Sequence, residues 1–535
     1  MIKNWKYILA ISASFTFSTA AFSQSVQDAQ RATDLERYGD ATKALRTLSK
    51  SGGSDEAAFY LGDAYLKAGK TDSAAIAYNM GFTANPKSAL SMVGAGKAAL
   101  LKGNTAEAET QFEAAIKASR KKDANIYTQI GLAYADAKAK DVTKAIGYLK
   151  EAEKLTKNNS APVYVAMGDV YLTQPNGGGD AATAYDNAIR VDQKYIKAHL
   201  RRGQLFVRAR NYNEAEKAFQ QALAIDANYA PAYRELGEMY YFVGKYDQSL
   251  ENYRKYMTMA ENTPETRAKY ASFLFLTKDY ANTQKEAQAV LAKDPNNAVM
   301  TRLSALSLYE TDKNDEALAT MDKYFQNAKE TDIIGSDYAY YGRILAKAGK
   351  ADLAATNFEK ALQMDPENVE LKDDIADFYV KNKQAAKAVP IYQAIIASQP
   401  KNLNVYNVKL ANAYFETKQY DEASTLYGTV LKTNPTYVPA LWAQAQIMTA
   451  KDADNSGDAK EAYEQVVQAI NQDPAKAQTY KSYLVAANYN LGFYAHKAKD
   501  YATAKKYWTE VKRLDPNNKE AETGLANIAA VTRGR

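Results

Sequence analysis

The sequence predicts an all-α fold: a right-handed superhelical solenoid of about thirteen helix pairs with a C-terminal capping helix. Three observations carry this. A small residue recurs at Ala44, Ala74, Ala108, Ala145, Ala181, Ala215, Ser249, Thr283, Ala317, Ala354, Ala388, Ala423, Ala462 and Ala504, and six of the thirteen steps are 34 residues. Self-similarity at such a period marks stacked supersecondary units. A second small residue sits twelve places before most of these, as Gly62, Gly203, Gly237 and Gly342 do, with an aromatic three or four places to one side. Prolines fall between repeats, at Pro86, Pro295, Pro366, Pro400, Pro435, Pro474 and Pro516. There they end one helix and pre-set the next.

The 535 residues exceed what one ordinary core supports, which a repetitive array accommodates. Residues 1–23 read as an export signal. Lys3 and Lys6 precede an apolar stretch that ends in Ala21-Phe22-Ser23, with small residues where a signal peptidase cuts. The expected location is the periplasm. The chain has no Cys, so it has neither a lipoprotein anchor at its mature start nor disulfides. Residues 24–54 read as an atypical first helix pair, closed by Lys50-Ser51-Gly52-Gly53-Ser54.

Residues 55–517 hold the regular array. The small residue and the aromatic three later share one face of a first helix. The second helix places Ala and an aromatic four apart, again on one face. Turns such as Ala68-Gly69-Lys70, Val243-Gly244-Lys245 and Ala348-Gly349-Lys350 join the two. Ala271, Ala305, Ala376, Ala411 and Ala445 stand where other repeats have Gly, and Pro390 falls early in a second helix. Residues 174–179 and 452–458 are insertions, the first a flexible turn in which Asp180 is expected to cap the next helix. Residues 518–535 supply the cap and tail, with Ala521, Leu525 and Ile528 along one stripe. A solenoid needs such an end, because its last repeat otherwise exposes an apolar face.

Gly62 with Tyr65, Ala74, Tyr78 and Pro86, and Gly342 with Tyr338, Leu345, Ala354, Phe358 and Pro366, resemble the tetratricopeptide-repeat (TPR) family, and the resemblance extends over nearly all of residues 55–517. It implies a concave groove lined by first helices, where partners bind. The groove positions lie three before, one after and four or five after the small residue. They nominate Arg234, Glu238, Tyr241, Phe275, Arg302, Tyr309, Arg343, Asn412, Phe415, Trp442 and Gln446. Arginine with aromatics is the composition of interaction hot spots. A Lys/Asn clamp for a terminal carboxylate is not supported, since Val408 occupies the Lys place beside Asn412.

Other chemistry finds little footing. Asp452, Asp454, Ser456 and Asp458 resemble half a calcium loop, but Tyr463 stands where the bidentate Glu belongs. Gly177-Gly178-Gly179 lacks the lysine and spacing of a phosphate loop. The two histidines, His199 and His496, lie in separate repeats, and paired carboxylates fall on repeated solvent faces. No catalytic group, cofactor or metal is therefore expected. The net charge of +6 is dispersed, which speaks against nucleic acid. The sequence points to a non-enzymatic scaffold or adaptor in the bacterial envelope, contacting protein partners through its groove and membranes only through those partners. The alternative is a polysaccharide-binding accessory of exopolysaccharide export, with groove aromatics stacking on sugars.

Overall fold

The computed structural model describes residues 25–51, 54–137, 141–452 and 457–533. The expected export signal, residues 1–23, lies outside the described residues. The described residues form thirty α-helices and one short 3-10 turn, with no strand. Helices of about four turns alternate in antiparallel pairs, from Val26–Asp34 and Tyr38–Ser51 to Lys481–Lys497 and Tyr501–Leu514. A single helix, Lys519–Arg533, follows. Two compact units divide between Ser307 and Leu308.

The repeat's small residues do what their period implies. A methyl group built on Gly62, Gly168 or Gly203 would meet the Tyr78, Tyr185 or Phe219 ring at 2.3, 2.3 and 2.4 Å. In these pairs the ring of the second helix thus lies against the backbone of the first, and a side chain in place of the glycine would need the ring to shift. Ala74, Ala108, Ala145, Ala181 and Ala215, from the second helices, are fully buried. Where Ala271 replaces the glycine, the facing aromatic shrinks to Ala287, and both are buried. Ala376 and Ala411 instead keep Tyr392 and Tyr427, all buried, so this exchange of volume is particular to the Ala271 pair.

Several helix starts are capped by a side chain. Ser54, Asp123, Asn211, Asp279 and Asp500 each accept a backbone N–H of the first turn. The first insertion differs from expectation. The second helix begins at Gly178 with Gly177 before it, so Asp180 lies inside the first turn, where an acid suits the helix dipole. A side chain at Gly177 would run into the Tyr171 carbonyl at 1.9 Å, so the tight return requires glycine. Pro390 sits inside Ala385–Ala397. At the C-terminus, Ala521 and Ile528 are buried and Leu525 partly so, packed on Trp508 and Val511.

Candidate functional site in the groove-facing positions

In four repeats the residue just after the small residue of the first helix accepts the hydroxyl of the second-helix tyrosine. Asp63 accepts the Tyr78 hydroxyl at 2.5 Å and Asp169 that of Tyr185 at 2.8 Å. Asp377 and Asn412 do the same for Tyr392 and Tyr427. Where the place holds Lys97, Gln204 or Arg343, the ring is Phe112, Phe219 or Phe358. A buried hydroxyl needs a partner, and these four tyrosines find one there, whereas the buried Tyr253 hydroxyl has none although Glu238 follows Gly237. Burial, with the neighbouring Asp169 charge, holds the Tyr185 phenol protonated far above its ordinary range.

In the first unit these positions join into a ladder of charges. Lys97 is 1% exposed, and its ammonium lies 2.6 Å from both Asp63 and Asp136. Burial opposes its charge, but Asp136 and Asp63 outweigh that and raise its pKa well above 10.5. Burial likewise opposes the Asp136 charge, and Lys97 outweighs it, so the carboxyl is held below its usual range. Further along, Arg201 Nε sits 3.0 Å from Asp169, and its Nη1 donates to Gln204 at 2.9 Å. Gln204 in turn donates to Glu235 at 2.8 Å.

The ladder ends on a contact that repeat periodicity does not show. Arg234 Nε and Nη2 both donate to Glu36, at 3.1 Å. Glu36 belongs to the first helix pair, 198 residues earlier. Tyr256 donates its hydroxyl to the same carboxylate at 2.8 Å. Around it, Arg31 meets Asp226 at 3.2 Å, Asp34 meets Lys197 at 2.8 Å, and the Gly39 N–H donates to Glu261 at 2.6 Å. Leu35 packs on the cluster of Leu200, Phe219 and Leu236. The start of the first unit is therefore docked on its sixth and seventh helix pairs and the loop that follows them. Burial opposes the Arg234 charge, but Glu235, Glu36 and Glu238 outweigh it and raise its pKa above the ordinary arginine value.

The nominated residues fall into two sets. Arg234 and Glu238 were expected to face a partner; they face their own chain, Glu238 taking Arg234 at 3.5 Å and Lys269 at 2.7 Å. Arg343 is paired with Asp374 and lies over the Tyr340 ring, and Asn412 is engaged by Tyr427. Tyr309 carries Lys347 Nζ at 4.7 Å from its centroid and meets Tyr340 edge-on. Trp442 is stacked on Tyr483, 4.9 Å between centroids and 9° from parallel. Phe275 and Phe415 pack edge-on against Tyr280 and Tyr420. Arg302 and Gln446 are half-buried. Tyr241 stands out, 41% exposed beside Phe242 at 63%, with Tyr246 and Leu276 also exposed nearby.

Of the calcium candidates, Asp454 and Ser456 lie outside the described residues. Asp452 is buried and accepts the Gly457 N–H at 3.1 Å, as a turn would require. Among the described residues no group of three or more His, Cys, Asp or Glu side chains is placed to hold a metal ion. His199 Nε2 donates to the Gln193 carbonyl at 2.9 Å, and His496 packs on Tyr501 and Trp508. Both histidines are accounted for by local structure.

Sequence signals could have found part of this. The pairing of an acceptor with Tyr, and of Lys, Gln or Arg with Phe, is readable down the repeats. The Glu36–Arg234 contact carries no periodic mark, but an acid at the end of the helix Val26–Asp34 is itself unusual, since cations suit that end.

Tetratricopeptide-repeat family models match residues 27–89 and 93–160, residues 196–229, and residues 345–409 and 387–447. Among solved structures, the C-terminal part of a TPR repeat-containing protein from Cytophaga hutchinsonii is 27% identical, covering 48% of this chain and 99% of that one, with a TM-score of 0.43. A tetratricopeptide-repeat protein from Parabacteroides merdae is 18% identical, covering 47% and 97%, with a TM-score of 0.32. YrrB, described as a TPR protein with an unusual peptide-binding site, is 16% identical over 36% and 96%, with a TM-score of 0.31. No curated protein matches the chain. The family models, matched over residues 27–89, 93–160, 196–229 and 345–447 of the run of helix pairs, show that this chain belongs to the tetratricopeptide-repeat family.

Proposed function

We propose that this protein is a non-catalytic scaffold of the bacterial envelope, exported by its first residues and holding protein partners on its repeats. Tetratricopeptide repeats support protein interaction as the general role. The observation that carries the proposal further is the exposed cluster of Tyr241, Phe242, Tyr246 and Leu276. Tyr241 lies 5.7 Å from Phe242, 6.1 Å from Tyr246 and 5.6 Å from Phe273, so the rings form one contiguous patch. A contiguous exposed apolar patch marks an interaction site, and aromatic anchors dominate binding energy at such sites. The patch lies at the edge where first helices end and second helices begin, beside a shallow pocket lined by Lys245, Tyr246, Gln248, Leu276 and Thr277. It fits a partner that presents an apolar segment.

The polysaccharide reading has less support. Trp442, Tyr309 and Phe415, the rings best suited to sugars, already pack against Tyr483, Lys347 with Tyr340, and Tyr420. Crosslinking and affinity capture from native envelopes tests the choice. Wild type is compared with Tyr241→Ala/Phe242→Ser/Leu276→Ser. Defined envelope proteins captured by wild type and lost in the variant support the scaffold. Capture unchanged by the variant overturns the assignment to this patch. Absence of any protein, with retention on glycan arrays, favours the polysaccharide reading.

A further inference from the structure

The first helix pair meets its docking surface through one turn, and the turn presents a compact side-chain pattern. Asp34 pairs with Lys197, Leu35 enters the apolar cluster of Leu200, Phe219 and Leu236, and Glu36 is gripped by Arg234 and Tyr256. An acid, an apolar residue and an acid are thus read in succession by a cation, a hydrophobic patch, and a cation with a phenol. The Glu261 N–H adds a backbone contact to the Glu36 carbonyl at 3.3 Å. The Tyr38 side chain is half-buried beside the same charges, and desolvation with the neighbouring Glu36 raises its pKa.

The turn is costly in isolation. Glu36 has φ of 59°, the left-handed region that disfavours residues with a Cβ. The same φ recurs at the turns of other repeats, at Arg210, Lys278, Lys383, Lys418 and Lys499 and at one acid, Asp312, which is paired with Lys347 of the next helix pair. A cation at that place suits the helix C-terminus, and a glutamate does not. What repays Glu36 is the distant Arg234. A residue chosen against local preference and satisfied only by a remote site has the character of a ligand.

We infer that this surface of the first unit is a receptor for a short acid–apolar–acid segment, and that Asp34-Leu35-Glu36 is its resident occupant. A protein partner presenting the same pattern in extended or turn form competes for it and releases the first helix pair. The inference rests on the scaffold reading but concerns a different surface from the Tyr241 patch.

The test uses the full chain and a fluorescent peptide of residues 32–40, ATDLERYGD. Glu36→Arg opposes Arg234 and is expected to release the first pair, read as lost hydrogen-exchange protection in residues 26–51. Circular dichroism checks that the remaining helices persist. Peptide anisotropy should then report at least tenfold tighter binding to Glu36→Arg than to wild type. The charge swap Glu36→Arg/Arg234→Glu should restore protection and lose the peptide. Should Glu36→Arg fail to fold, Glu36→Gln is read by the same two measurements. Three results overturn the inference: unchanged protection in the variant, lost protection without peptide binding, or equal binding to wild type and variant. If envelope capture still depends on Tyr241 and Phe242 while the peptide fails, only this inference falls. If capture fails while the peptide binds, only the envelope scaffold falls.

Discussion

The two units are built from the same repeat yet use their groove-facing charges differently. In the first, charges reach far along the chain: Glu36 to Arg234 and Tyr256, Arg31 to Asp226, Gly39 to Glu261, with separations of 195 to 222 residues. In the second, Arg343 meets Asp374, Lys347 meets Asp312, Lys409 meets Asp373 and Lys451 meets Asp421, each 30 to 36 residues away, one repeat along. A nearest-neighbour array gains stability locally, unit by unit. A unit docked end to end gains additional contacts only when its spacing is right, so it should open more cooperatively. The comparison teaches that a repeat sequence encodes neighbours well and closure poorly.

The widest difference is expected at the buried lysines. Lys97 is 1% exposed between two carboxylates, whereas Lys409 is 26% exposed between Asp373 and Asp377. Lys97→Met leaves Asp63 and Asp136 without their counter-charge and should cost about 3–5 kcal/mol. Lys409→Met should cost about 1 kcal/mol or less, since solvent screens its pairs. Hydrogen exchange resolves both as local opening free energies. Equal costs would erase the contrast.

The same network sets a pH window. Asp136 has a depressed folded-state pKa, so its stabilisation is present above the unfolded value of 3.8 and is lost as pH falls through the lower folded value. Lys97 has a raised one, so its share is complete below 10.5 and is lost only as pH climbs through the higher folded value. Exchange protection of Asp55–Lys67, Ala89–Leu101 and Ala124–Asp136, corrected for intrinsic rates, should stay flat from about pH 5 to 10 and fall in acid. A decline near neutrality would point to some other titrating group.

A smaller effect concerns the glycine contact. Gly168→Ala drives a methyl into the Tyr185 ring and should cost about 1–3 kcal/mol by overpacking. The second unit already carries Ala376 opposite Tyr392, both buried. There Ala376→Gly should lower stability by about 1 kcal/mol through helix propensity alone. If Gly168→Ala is instead stabilising, the first unit's rings have the same freedom as the second's. The smallest effect is at the phenols. Tyr185→Phe and Tyr392→Phe should each cost about 0.5–1.5 kcal/mol, one hydrogen bond apiece, because Arg201 and Lys409 still hold Asp169 and Asp377. Thermal unfolding of the two variants checks this.

The sequence made the repeat legible because its rules are local. A small residue every 34 places, glycine under a ring and proline at a junction each act within one helix pair. The site was legible only in part. Tyr241 was nominated from its place in the repeat and is exposed, but its neighbour Phe242 is more so. Arg234 was nominated by the same rule, and its occupant could not be read, because a pairing across 198 residues follows from how successive pairs rotate. Asn412 and Trp442 were read as open for a similar reason. Offsets place a side chain on a face without showing that Tyr427 or Tyr483 already covers it.

The docking of the first helix pair onto residues 197–261 is the central claim, and the absence of cysteine makes it directly measurable. Gly39→Cys/Glu261→Cys in the full chain places two thiols where the Gly39 N–H meets the Glu261 carboxylate. A short bis-maleimide, which adds one thiol at each end, should join them rapidly in native buffer and not in denaturant, and Arg234→Glu should slow the reaction. Crosslinking as slow in native buffer as in denaturant would mean that the first pair does not dock there, and would contradict the account.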